Sequence, residues 1–413
     1  MSIVFFYSLF KLDSLNGFVV LAIGLFFVLN IIYSFKFMKG KQYLGQYYSN
    51  VILTAIASVG AVLSNNLILL LIFWGFLGLT LYLLINMGGD NTSAVAKKTF
   101  IIVGGSDMLM LLGIGIIYNL AGTLQMDKIR LELNNGLAVL AYLCIAIASF
   151  AKAGAMPFHT WIPDCAEHAP APVVAYLPAS LDKLLGIYLL ARISLNVFIM
   201  NEAMNIFLVL IGAFTIIAAV MMALVQHNMK RLLGYHAVSQ VGYMVLGIGS
   251  GTAIGIAGGI FHMLNNSIYK QALFLVSGNV EQKTGTTDLD KLGGLSKIMP
   301  FTYISCLIAS LSISGVPPFN GFVSKWMVYQ GLIRAYQVSA GNYRVFILMA
   351  LVAAMFGSGL TLASFMKLLH ATFLGQRPNG PTAQRSFLAN VASSNSIGNY
   401  LCNIRDICES DST

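Results

Sequence analysis

The chain has 413 residues, 57% of them hydrophobic and only 9% charged, with a mean hydropathy of +0.79. Soluble globular domains carry about 25% charged and under about 50% apolar residues, so composition excludes a soluble enzyme, a disordered chain and a disulfide scaffold. The net charge of +9 reads as an orienting bias on membrane loops, not as a nucleic-acid surface, because the basic residues sit in short loops rather than on one helix face.

No basic run precedes a short apolar core at the first residues, so no cleaved signal peptide is expected. Apolar stretches of spanning length fall near 15–35, 48–64, 66–88, 99–121, 136–156, 172–195, 204–225, 232–250, 253–278 and 299–316. A last pair, 318–337 and 345–374, flanks the polar patch Gly341-Asn342-Tyr343-Arg344 and is read as one broken span. The fold expected is an all-α polytopic membrane protein of about eleven crossings. Loops after odd-numbered spans hold Lys36, Lys39, Lys41, Lys97, Lys98, Lys230, Arg231, Lys283, Lys291 and Lys297. The opposite loops hold little beyond Lys128 and Arg130, so the N-terminus is expected outside and the C-terminus inside. Residues 1–47 read as a first span and basic loop, 48–375 as one integral domain, and 376–413 as a polar tail.

Five lysines interrupt these apolar runs: Lys152, Lys183, Lys270, Lys325 and Lys367. Each costs about 2.5–3.5 kcal/mol at a helix centre, and such residues face the protein interior, pair with polar groups and mark ion or proton paths. Lys367, near a helix end beside His370, is read as a snorkelling residue. Lysine suits proton work because burial disfavours its charged form, whereas arginine stays protonated. Lys152 and Lys325 adjoin Gly/Pro breaks, at Gly154-Ala155-Met156-Pro157-Phe158 and Gly315-Val316-Pro317-Pro318-Phe319. Two such breaks in corresponding halves point to discontinuous helices in inverted repeats. His262, Asn265, Asn266 and Lys270 fall at i, i+3, i+4 and i+8, along one helical face. That stripe reads either as part of the path or as an interhelical hydrogen-bond seam. Asp182 directly precedes Lys183; it serves that lysine or another helix. The five cysteines, Cys144, Cys165, Cys306, Cys402 and Cys408, form no C-x-x-C pair, so no metal or iron–sulfur site is expected.

The stretch AKAGAMPFHTWIPDCAEHAPAPVVAYLPASLDKLLGIYLLAR from Ala151 to Arg192 resembles the antiporter-like, proton-translocating membrane subunits of respiratory complex I. That superfamily includes the multisubunit sodium/proton antiporters and the energy-converting membrane hydrogenases. Further similar segments are Gln226–Met244, Phe261–Val280, Leu292–Pro300 and Ser314–Lys325, so the likeness covers roughly 50–375.

The resemblance implies a shortened version of a fourteen-helix fold, in which Lys152, Lys183, His262, Lys270 and Lys325 form a central axis of proton-carrying groups. It implies a subunit of a multisubunit, redox-driven complex resembling NADH dehydrogenase or hydrogenase, in a prokaryotic cytoplasmic membrane. Other membrane subunits, protons and the bilayer would be its partners, with any quinone, flavin or iron–sulfur centre in those subunits and none bound by this chain. The alternatives are a non-pumping scaffold and a sodium/proton antiporter subunit. One departure concerns the glutamate that the family places after Phe-Trp: here the stretch is Phe73-Trp74-Gly75. Asp107 is the expected replacement as counter-charge for Lys152, with a helix-end role as the other reading. The Asp164-Cys165-Ala166-Glu167-His168 loop is read as a channel mouth or a solvated loop.

Overall fold

Eleven membrane crossings follow from the order and end-to-end pairing of the helices in a computed structural model, which describes residues 9–89 and 92–376. The helices are α1 (Ser14–Phe37), α2 (Leu44–Leu63), α3 (Leu67–Asn86), α4 (Thr92–Ala121), α5 (Gly136–Ala153) and α6 (Trp161–His168). After them come α7 (Ala171–Val197), α8 (Glu202–Leu224), α9 (Met229–Gly249) and α10 (Ala253–Thr284). The last three are α11 (Pro300–Ser314), α12 (Asn320–Val338) and α13 (Tyr343–Leu374). Local chemistry starts many of them. The side chains of Asp13, Asn66, Asn135, Asn201, Asn228 and Thr252 accept from first-turn backbone N–H groups of α1, α3, α5, α8, α9 and α10.

Short backbone pairings show which ends share a face. Phe10 bridges Ser64, Asn66 bridges Gln125, and β1 (Leu131–Glu132) pairs in parallel with β2 (Phe198–Ile199), all on one side. On the other side Asn228 bridges Asp288, and Lys230 reaches the carbonyl of Ala169. This second face also collects the lysine-rich loops foreseen from the sequence.

Two crossings are broken. α5 and α6 make one: α5 starts beside β1, and α6 ends on the lysine-rich face where α7 begins. α11 and α12 make the other, because Gly331 near the end of α12 packs on Gly255 at the start of α10, on the lysine-poor face. The expected pairing of 318–337 with 345–374 as one span is therefore corrected. α12 and α13 form an antiparallel hairpin, with Tyr329 reaching Ser358 (2.7 Å). Residues 339–342 form its turn, Tyr343 and Arg344 of the polar patch open α13, and the true break is Gly315–Phe319. Among the described residues the helices make eleven passes through the bundle, with these different boundaries.

Eight helices are long and apolar enough to cross a membrane by length and composition alone. The three further crossings are α9, α10 and the broken α11–α12, where polar stripes or a break lower the hydropathy. Five crossings from α2 to α7 repeat in opposite sense from α8 to α13, each with its broken crossing fourth. In each break a left-handed glycine, Gly154 (φ 82°) or Gly315 (φ 79°), ends the first half-helix three residues before a proline. α7 is buried from Ala171 to Ser194, whereas α1 and α13 turn Leu21, Leu25, Ile32, Met349, Val352 and Phe356 outward. The tail from 377 onward lies outside the described residues, as do Cys402 and Cys408.

Candidate functional site

A buried lysine persists in an apolar bundle only where oxygen atoms meet it, and the two helix breaks supply them. A helix C-terminus leaves carbonyls without intrahelical partners and carries partial negative charge. Lys325, on α12, donates to Ile313 O (2.8 Å) and Ser314 O (3.5 Å) at the end of α11. Lys183, on α7, reaches Ala153 O at the end of α5 (3.4 Å) and Pro178 O within a π-helical turn of its own helix (2.6 Å). The broken crossing of each repeat thus aims its carbonyl end at a lysine.

Lys152, on α5, lies over the Trp74 ring (4.8 Å) and close to Trp74 O (3.4 Å). Asp107, on α4, lies against α3 beside Gly78, 3.8 Å from where a Cβ on that glycine would sit. It also adjoins the Trp74 indole and lies in the field of Lys152. Gly75 itself faces outward with open space around it. The structure therefore brings Asp107 into the cluster, within α4 rather than at a helix end. Asp182 also lies in the field of Lys152.

Beyond Lys183 the path crosses to α10. Ser180 and Ser267 touch across the α7–α10 contact, each hydroxyl 3.4 Å from the other's carbonyl. One turn further, Lys270 donates to Leu233 O (2.9 Å) and lies 5.6 Å from the centre of the Phe365 ring. Lys270 feels Lys183, and His236 on α9 feels both Lys270 and Lys325. His236 Nε2 pairs with Ser364 Oγ (2.7 Å) on α13. His262 joins three helices: Nδ1 meets Ser324 Oγ (2.8 Å) and Nε2 meets Gln240 Oε1 (3.2 Å). Asn265 and Asn320 then tie α10 to α12 (3.0 Å), and Lys325 covers the Tyr243 ring (4.6 Å).

All six residues singled out from the sequence, Asp107, Lys152, Lys183, His262, Lys270 and Lys325, lie in this buried band. Buried polar atoms without a hydrogen-bond partner cluster along it as well: Asp107 Oδ1, Asp182 Oδ2, His236 Nδ1, Gln240 Nε2 and both amide atoms of Asn266. Such atoms are costly unless water reaches them. Sequence reasoning missed His236 and left Asp182 unassigned. The signal for His236 was present, since His236, Gln240 and Tyr243 fall at i, i+4 and i+7 on α9.

Two other expectations resolve away from the band. Lys367 donates to Leu224 O (3.0 Å) and Gln226 O (3.1 Å) at the end of α8, a capping role consistent with its place near a helix end. The Asp164–His168 segment is helix α6, not a loop. Asp164 pairs with Lys98 (2.7 Å) and Glu167 with Arg231 (2.7 Å), closing the lysine-rich face. Among the described residues no His, Cys, Asp and Glu cluster could hold a metal ion.

Comparison with known proteins places this architecture. Residues 64–357 match the family described as NADH:quinone oxidoreductase/Mrp antiporter, transmembrane. The chain is 32% identical over 368 residues to a Na(+)/H(+) antiporter subunit of Staphylococcus epidermidis, covering 84% of this chain and 46% of that one. It is 31% identical over 358 residues to a Na(+)/H(+) antiporter subunit of Bacillus subtilis, covering 83% and 44%. This chain thus spans under half the length of these relatives. Among solved structures, the Mrp complex from Dietzia sp. superposes with a TM-score of 0.82 at 26% identity, over 89% of this chain and 68% of that one. The archaeal membrane-bound sulfane sulfur reductase shares the fold, with a TM-score of 0.78 at 24% identity over 96% and 81% of the two chains. Broken crossings, inverted repeats and sequence likeness agree, and the chain belongs to the NADH:quinone oxidoreductase/Mrp antiporter transmembrane family.

Proposed function

We propose that this chain is a proton-translocating subunit of a multisubunit assembly in a prokaryotic plasma membrane, passing protons along its buried Lys/His band. One observation carries the reading: Lys152, Lys183, Lys270, His236, His262 and Lys325 are all buried in one continuous band, where Lys183, Lys270 and Lys325 meet backbone carbonyls of neighbouring helices. In a low-dielectric path a unit charge gained at one group shifts the proton affinity of its neighbour, so a charge change at one end propagates as a proton shift. An idle scaffold gains nothing from several buried lysines at about 2.5–3.5 kcal/mol each.

What drives the band is a finer matter. The resemblance implies a redox-driven complex, with electron carriers in partner subunits. The relatives named as Na(+)/H(+) antiporter subunits and the likeness to an Mrp complex favour cation/proton exchange instead.

The test uses everted vesicles carrying the whole assembly, with a pH-gradient dye and native-gel proof of assembly. Lys152→Met is expected to lower proton flux at least about tenfold. Sodium addition is expected to discharge a preformed gradient if the assembly exchanges cations, and to leave it intact if redox chemistry drives it. Wild-type flux in an assembled Lys152→Met complex would overturn the proposal.

A further inference from the structure

The most consequential group that the sequence leaves without a task is Asp182. Its position follows from a close contact between two helices of the site. Gly186 of α7 lies directly on α5, with Ser149 Oγ donating to Gly186 O (2.6 Å). α7 runs antiparallel to α5, so Asp182, one turn back on the same face, stands level with the Lys152–Gly154 end of α5. Asp182 is 1% exposed, and its Oδ2 has no hydrogen-bond partner among the described residues. A carboxylate enclosed in a bundle without partners is among the most costly arrangements a membrane protein can hold, unless positive charge offsets it.

That charge comes from two directions. Lys152 approaches from α5 and Lys183 follows on α7, its Nζ reaching the carbonyl of Ala153, the residue next to Lys152. Asp182 lies in the field of both lysines. The remaining titratable neighbour is the Cys165 thiol from α6, while Lys270 acts on Lys183 from α10 and Asp107 acts on Lys152 alone. No ion pair within 4.0 Å joins Asp182 to either lysine among the described residues, so it is committed to neither.

We infer that Asp182 is the shared counter-charge of Lys152 and Lys183, making the proton occupancy of one lysine depend on that of the other. One carboxylate can balance one ammonium. When Lys152 releases its proton, the field of Asp182 is left for Lys183, which takes up a proton in turn, and the reverse move restores the first state. The net change is one proton displaced from α5 to α7, with all electron pairs retained on their own atoms. Asp182 acts through the lysines and is a positioning residue.

This inference rests on the proposed proton path, and its test separates the two. In the assembled complex Asp182→Asn keeps size and shape but removes the charge, while Asp182→Glu keeps the charge. Flux against pH is read in everted vesicles for both, beside Asp107→Asn and Lys152→Met. Asp182→Asn is expected to lower flux at least about tenfold and to displace the pH profile by about one unit. Asp182→Glu is expected to restore the profile, and Asp107→Asn to cause a smaller loss. If Lys152→Met abolishes flux while assembled Asp182→Asn keeps the wild-type rate and profile, the shared counter-charge is refuted and the path stands. If Lys152→Met is silent, the path itself fails. A loss in both Asp182 variants with an unshifted profile assigns Asp182 to packing and overturns the inference.

Discussion

Replacing Gly186 by alanine tests whether the α5–α7 contact sets the geometry of the lysine cluster. A Cβ at Gly186 would lie 2.7 Å from Ala153 N, 2.8 Å from Ala153 Cβ and 2.8 Å from Ser149 O. Comfortable contact needs about 3.5–4.0 Å, so the two helices must part by roughly 1 Å. Two of the three atoms are backbone, so no side chain can swing aside. Overpacking of this kind costs about 1–3 kcal/mol. Alanine opposes it with up to about 1 kcal/mol of better helix propensity. The net expectation is a loss of about 1–2 kcal/mol. Parting the helices also pulls Ala153 O from Lys183 Nζ, a contact already at 3.4 Å, so proton flux should fall with stability. The assay is thermal melting of the detergent-solubilised assembly by size-exclusion chromatography, with flux measured in parallel. Gly105→Ala, on α4 with nothing near its Cβ, is the control and should melt at or above the wild-type temperature. A Gly186→Ala assembly that melts no lower than wild type and pumps normally would refute the argument.

Two further outcomes follow from the ends of helices. Burial raises the proton affinity of the Asp13 carboxyl, but the Arg192 guanidinium (2.7 and 3.2 Å) and the N–H groups of Asn16 and Leu15 outweigh it and hold its pKa below 3.8. A carboxyl with a depressed folded pKa stabilises above its unfolded value of about 3.9 and loses that effect as pH falls through the folded one. Asp13→Ala should therefore cost about 1–2 kcal/mol at neutral pH, and the gap to wild type should close below about pH 4; a gap that persists in acid melts would count against the ion pair. Lys367→Met should leave flux unchanged and cost about 0.5–1 kcal/mol, because Lys367 only caps α8; a large flux loss with intact assembly would place it in the path instead.

What the sequence determines by itself is everything that depends on local chemistry. Hydropathy fixes the membrane class, because a span needs only apolar length. Gly154 with Pro157 and Gly315 with Pro318 announce two breaks, because a left-handed glycine and a ring nitrogen interrupt a helix wherever they stand. Lys152, Lys183, Lys270 and Lys325 stand out because a charge in an apolar run is costly in any arrangement. The apolar segments near 299–316, 318–337 and 345–374 are legible in the sequence, but not which of them pair into a crossing. That depends on which helix ends share a face, as the contact of Gly331 with Gly255 shows. Only the tertiary structure decided the partners of the charges. Asp182 stands level with the Lys152 end of α5 because α7 lies against α5 through Gly186, and His236 meets Ser364 across 128 residues of chain. Such pairings arise from helix packing, which periodicity along one helix does not encode.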